Sequence, residues 1–135
     1  MVAVGAVVFD DDRVLLIRRG RPPAVGAWSI PGGKVELGES MRGAVLRELR
    51  EETGLFGTTA GLCEVLERVV RDDAGKVRFH YVLVDYFVEA VHGTLAPGGD
   101  VTDVRWYTLA ELATLTTTTD LPEFLSRALQ RWRSR

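Results

Sequence analysis

The sequence predicts an α+β domain, an α/β/α sandwich with a central mixed β-sheet between helices, and three observations support this. Apolar, β-branched runs recur along the chain and are bounded by turn-forming Asp, Gly and Pro. One segment, 41–53, repeats inward-facing residues every four positions between a capping serine and a glycine. Another, 77–91, is apolar on both parities, as expected of a central strand covered on both faces. The 135 residues suit one domain, 1–135, able to bury about two thirds of its unfolded surface.

Taken in order, Ala3 to Phe9 and Arg13 to Arg18 read as strands of a hairpin joined by Asp10-Asp11-Asp12. A basic cluster, Arg18, Arg19 and Arg21, follows. Gly20 to Val25, with Pro22-Pro23, is a loop. Ala27 to Ile30 is a short strand that Pro31-Gly32-Gly33 should end. Ser40 caps a helix from Met41 to Thr53, and Gly54 suits the left-handed position beyond it. Met41, Val45, Leu49 and Thr53 form its inward face. Gly43 weakens the helix by about 1 kcal/mol relative to Ala, which packing can offset. Leu62 to Val70 and Val77 to Val91 form a second hairpin around Asp72-Asp73-Ala74-Gly75. After a Gly/Pro-containing loop, Val104 to Thr108 is a strand and Leu109 to Leu115 a short helix. Thr116 to Thr119 is a connector, and Pro122 fits the first turn of a final helix ending near Trp132.

Composition excludes several classes of function. With 17 Lys+Arg against 19 Asp+Glu, a net charge of −2 argues against a general nucleic-acid coat, so no nucleic-acid polymer is expected as partner. The single Cys63 excludes an internal disulfide. With His80 and His92 it supplies too few ligands for a closed structural zinc site, and the simplest compartment is the reducing cytoplasm. No apolar run approaches the roughly 20 residues of a membrane span, and Met1 to Gly5 lacks a basic leader, so neither membrane nor signal peptide is expected. No P-loop is present, because Val35 follows Gly33-Lys34 where Ser or Thr is needed.

The chemistry concentrates in residues 33–55. Glu48, Glu51 and Glu52 stand at i, i+3 and i+4 of the helix, within an arc of about 100°, so three carboxylates can converge on one point. Like charges at that spacing oppose helix formation, and a bound divalent cation would turn repulsion into coordination. Hard oxygen ligands select Mg²⁺ or Mn²⁺. Glu39 lies at the mouth of the same helix, and Arg47 stands four residues before Glu51, placed to orient a carboxylate. Any one such pair is usually a solvated helix face. The set is different. Gly33, Glu39, Arg47, Glu48, Glu51, Glu52 and Gly54 match G-x5-E-x7-R-E-U-x-E-E-x-G-U, with Leu49 and Leu55 at the aliphatic U positions. Seven fixed positions coincide by chance about once in 10⁸ to 10⁹ windows.

This segment resembles the Nudix box, the signature of the Nudix hydrolases. Pro31-Gly32-Gly33 before it, and Arg105-Trp106-Tyr107-Thr108-Leu109 with Glu111-Leu112 after it, extend the resemblance over most of the chain. It implies the Nudix fold and hydrolysis of a diphosphate, usually in a nucleoside diphosphate linked to another moiety. The implied metal ligands are Glu48, Glu51 and Glu52, with Glu39 assisting and Arg47 holding a carboxylate. A further acidic ligand is expected from the loop before the Trp-bearing strand; Asp100 is favoured there over Asp103, with Glu89 third. The general base differs among subfamilies and does not follow from spacing.

The substrate side is less sharply marked. Arg18, Arg19 and Arg21 are placed to meet a phosphate, and Trp28, Phe79, Tyr81 and Tyr86 offer faces for a base. Gly32 and Gly33 permit close approach beside them. Arg21 to Gly33 resembles small bacterial Nudix proteins labelled ADP-ribose pyrophosphatases. Val69 and Val70, however, stand where well-defined ADP-ribose enzymes carry a proline, about fifteen residues beyond the box. The expectation is cleavage of ADP-ribose or a nucleotide sugar by water attack on phosphorus. The alternatives are a (d)NTP pyrophosphohydrolase and a noncatalytic nucleotide-binding regulator. All four box glutamates remain, which argues against the last. A homodimer is compatible with Trp132 and the last amphipathic helix, which equally suit a cap on the monomer's own core.

Overall fold

Val8 divides the first apolar run between two sheets in the computed structural model, which describes residues 1–135. Val2–Val7 is β1. Only Phe9–Asp10, β2, remains to pair with Arg13–Arg19, β3, so the expected hairpin is reduced to its tip. Trp28–Ser29 forms β4. Gly32–Lys34 forms β5 instead of ending a strand. Helix α1 spans Met41–Thr53, β6 Leu55–Arg71, β7 Val77–Gly93 and β8 Val101–Thr108. A 3-10 turn, Ala110–Thr114, leads to α2, Leu121–Arg133.

One sheet has the order β5-β1-β7-β6. It is mixed, because β1 runs parallel to β7 while the other pairs are antiparallel. In the other sheet, β3 pairs antiparallel with β2, β4 and β8. Side chains alternate across β7. Val84, Tyr86 and Val88 join Ala44, Val45 and Leu49 of α1, while Phe87 faces Phe124, Leu125 and Ala128 of α2. A helix therefore covers each face, as the apolar parities predicted. That cover extends only over 84–88; Val77, Phe79 and Val82 are exposed on the outer part of the β6–β7 hairpin.

Helix α1 begins and ends as its sequence predicts. Ser40 Oγ accepts from the Gly43 N–H at 3.0 Å, and Gly54 takes φ 78° with its N–H donating to Arg50 O. The buried face is Ala44, Val45, Leu49 and Thr53. Met41, expected there, is exposed at the first position of the helix. Strand β6 starts at Leu55 instead of Leu62. Its register shifts repeatedly between Phe56 and Glu64, and these bulges erase the period-2 pattern there. Leu49 is fully buried between the helix and the sheet. Leu49→Ala should lower unfolding free energy by about 2–5 kcal/mol. Denaturant titration reads this directly, and an unchanged midpoint would contradict the packing described.

No helix is long and apolar enough to cross a membrane.

Candidate active site

The site grows from the seam between β1, β5 and α1. Gly32 faces Gly5, and Gly33 faces Val4, so two glycines lie along a sheet edge with α1 beside them. A Cβ at Gly32 would overlap the Val4 carbonyl, and one at Gly33 would overlap the Glu48 carboxylate. Space requires glycine at Gly32, where the clash is with backbone, whereas a side chain at Gly33 would displace the Glu48 carboxylate. The Gly32 N–H donates to Glu52 Oε1 at 2.8 Å, which ties the helix to the strand through a proposed ligand.

Arg47 organises the remaining carboxylates. Its Nε and Nη2 donate to the two oxygens of Glu39 at 2.6 and 2.9 Å, a bidentate pair. Nη1 donates to Glu48 at 3.0 Å and to Glu51 at 3.2 Å, and Nη2 also donates to Lys34 O at 3.1 Å. Glu39 in turn accepts from the Glu36 N–H at 3.1 Å. One guanidinium thus joins the loop before the helix, the end of β5 and two turns of α1. The Arg47 hydrogen bonds, then the Glu36 N–H, hold Glu39 below the usual carboxylate range, and the Glu39 bonds in turn raise Arg47. Burial raises Glu48, although Arg47 opposes it. Burial raises Glu52 further, to about 7, against the Gly32 hydrogen bond and the more distant fields of Arg19 and Arg21.

The three carboxylates share a helix face but do not close on one point, in contrast to the expectation from helix geometry. No three Asp, Glu, His or Cys side chains are grouped to enclose a cation. The physical reason is local: mutually repelling oxygens each take the nearest donor, Arg47 for Glu48 and Glu51, Gly32 for Glu52. The residues nevertheless fit a hard divalent ion. The donor set is all oxygen, and Glu48 and Glu52 are carboxylates whose burial disfavours the anion unless positive charge is supplied.

Asp100 is close to this region but pairs with Arg21 at 3.0 Å. Its loop is held against α1, with the Ala96 and Gly98 N–H groups donating to Thr53 O and Glu52 O at 2.9 and 3.2 Å. Asp103 pairs with Arg105, and Glu89 reaches Arg135, so neither joins the glutamates.

A cleft of about 620 Å³ opens beside Gly32 and Gly33. Arg19 lines it, with Leu66, Leu83 and Asp85 from the sheet and Phe124 and Arg127 from α2. Arg18 lies outside, donating Nε to Gly26 O at 3.3 Å. Trp28 is core: it is 7% exposed and its ring packs T-shaped on Tyr107 at 5.0 Å, so burial leaves no free face for a base. Tyr81 stacks on Phe79 at 5.9 Å on the β6–β7 hairpin and is not part of the cleft wall, while Tyr86 is buried beneath α1. Of the residues predicted to meet substrate, Arg19, Gly32 and Gly33 are brought together. Asp85 was missed. Its signal was one acid inside the otherwise apolar Val82-to-Val88 strand.

Comparison with known proteins agrees with this geometry. A curated relative from Methanocaldococcus jannaschii, named ADP-ribose pyrophosphatase, is 34% identical over 114 residues, covering 84% of this chain and 65% of its own length. The chain therefore spans slightly under two thirds of that relative. A MutT Nudix hydrolase crystal structure from Burkholderia pseudomallei superposes with a TM-score of 0.80 at 31% identity, covering 93% of this chain and 95% of that one. The Nudix domain of NrtR from Shewanella oneidensis, solved with ADP ribose, gives 0.80 at 27% identity over 98% and 88% of the two chains. The family model described as NUDIX domain matches residues 1–128, so this chain belongs to the Nudix family.

Proposed function

We propose that the protein is a divalent-cation-dependent pyrophosphohydrolase acting on a nucleoside diphosphate joined to a second moiety, ADP-ribose or a nucleotide sugar. The observation that supports this reading is the hydrogen bond from the Gly32 N–H to Glu52, because Gly32 itself lines the cleft and so joins one of the glutamates of α1 to its wall. The names of the Methanocaldococcus relative and of the Shewanella complex favour ADP-ribose as substrate.

Glu48, Glu51 and Glu52 would hold Mg²⁺ or Mn²⁺. The cation supplies Lewis acidity toward the diphosphate oxygens and the attacking water. The chain's own groups do the positioning. Arg47, clamped by Glu39, orients Glu48 and Glu51. Arg19 at the cleft wall binds a phosphate, with Arg21 held nearby by Asp100. In the reaction one P–O bond of the anhydride breaks and the water oxygen takes its place on phosphorus. Two phosphomonoesters leave.

Gly33→Ala tests the seam, because the added methyl overlaps the Glu48 carboxylate. Displacement of a ligand by about 1 Å should cost about 10²-fold in kcat. Wild-type turnover in that variant would show that Glu48 needs no fixed position.

The function itself is tested by product release from ADP-ribose, nucleotide sugars, (d)NTPs and dinucleoside polyphosphates with Mg²⁺ or Mn²⁺. The expected result is an NMP and a sugar phosphate from ADP-ribose or a nucleotide sugar. Preferred release of pyrophosphate from a (d)NTP would overturn the substrate class, and turnover of none by folded protein would overturn the hydrolase.

A further inference from the structure

Asp85 is a carboxylate in the middle of a central strand. It is 6% exposed, it takes part in no hydrogen bond, and no cation lies within 4.0 Å of it. Its neighbour across β6, Glu64, shows how this protein satisfies a carboxylate when the role is structural: Arg127 and Arg131 hold it at 2.9 and 3.3 Å. No fully enclosed side-chain oxygen of the protein lacks a partner, so the Asp85 carboxylate, bonded to no protein donor, is open to the cleft that it lines, where a ligand's donors can reach it. Burial raises Asp85 to about 7, with the Glu64 charge adding to this and Arg68 opposing it from a distance.

Its surroundings indicate what would satisfy it. Asp85 lines a cleft of mixed character, with Leu66, Leu83 and Phe124 on its apolar part and Arg19, Arg68 and Arg127 among its charged residues. Gly5, directly beside it on β1, leaves it room, because a Cβ there would overlap the Asp85 carboxylate. Asp85, Gly5 and Gly32 form one row across β7, β1 and β5. At about 4.8 Å per strand, Asp85 stands roughly 10 Å from the Gly32 N–H that holds Glu52. That separation is comparable to the reach from a nucleotide's phosphates to the far edge of its nucleoside.

Resting on the hydrolase reading, we propose that Asp85 is a specificity-determining residue that reads the nucleoside end of the substrate by accepting hydrogen bonds from adjacent donors. A base N–H edge and the ribose cis-diol both present such donors. Leu66, Leu83 and Phe124 would hold the flat or ring faces of the nucleoside, while the carboxylate selects the edge.

The test compares wild type, Asp85→Asn and Asp85→Leu on nucleoside diphosphate sugars that differ in base and in ribose or 2′-deoxyribose. Asn keeps the shape but replaces one acceptor by a donor, which covers failure of the Leu variant to fold. For the best wild-type substrate, KM should rise about 10-fold in Asp85→Asn and about 10²-fold in Asp85→Leu, with the loss in KM rather than kcat. Collapse of base preference assigns the edge to the base, and collapse of ribose preference assigns it to the diol; either supports the proposal. Unchanged KM and unchanged preferences in both variants would overturn it, leaving Asp85 a structural acid. Equilibrium binding of the corresponding nucleoside monophosphates is measured in parallel. Wild type that binds these but hydrolyses nothing would sink the hydrolase reading, while the variants' affinities still decide the role of Asp85.

Discussion

Glu52→Gln should lower kcat by at least about 10²- to 10³-fold while leaving the fold intact. The two halves of that result have separate causes. The glutamine carbonyl oxygen can still accept from the Gly32 N–H, so the tie between α1 and β5 survives. Its length and shape match those of glutamate, and the helix keeps its buried face of Ala44, Val45 and Leu49. What disappears is the anionic charge beside Gly32, where a neutral amide oxygen is a poor ligand for a hard divalent cation. Steady-state turnover with Mg²⁺, beside a thermal melt, separates loss of charge from loss of structure. Turnover close to wild type would remove Glu52 from the proposed metal set.

The second large effect is expected at Arg47. Arg47→Ala strips donors from Glu39, Glu48, Glu51 and the Lys34 carbonyl at once. Glu48 and Glu51 would then lose orientation while still repelling one another across the helix face. We expect kcat to fall about 10²-fold or more, with a lowered melting temperature. Arg47→Lys sharpens the assignment. Lysine restores the positive charge but cannot reproduce the planar fork that holds both oxygens of Glu39 while reaching Glu48. It should recover much of the melting temperature and little of the turnover. Full recovery of turnover in the lysine variant would mean that charge alone suffices.

The helix that carries the carboxylates was legible because everything that defines it is local. Ser40, the four-residue repeat and Gly54 lie within fifteen residues, and the box spacing follows the same helical period. What the strands do depended on partners remote in sequence. Gly32-Gly33-Lys34 has no apolar alternation and reads as a strand end, yet it pairs with β1 because glycine tolerates the Val4 carbonyl at close range. Val8 lies within an unbroken apolar run, and only the two-sheet arrangement shows that the run is divided there.

The same limit separates the legible from the hidden side chains. Arg47 was placed beside one carboxylate by helix spacing, but its bidentate pair with Glu39 spans a loop whose path no period describes. Trp28 suggested a stacking surface from its chemistry; it is buried in the core, where Tyr107, nearly eighty residues later, packs against it. Asp100 suggested a ligand, and its carboxylate pairs with Arg21, a partner that lies nearly eighty residues away in sequence. Asp85 became visible only when three strands brought it into a row with Gly5 and Gly32.

The central claim is that Glu48, Glu51 and Glu52 form the seat of a divalent cation. Titration of Mn²⁺ into wild type and into Glu51→Gln and Glu52→Gln, followed by electron paramagnetic resonance of the free ion, measures it without any choice of substrate. Wild type should take up Mn²⁺ saturably, and each substitution should weaken that uptake about 10-fold or more. Equal uptake by all three proteins would place the cation elsewhere and remove Glu51 and Glu52 from its seat.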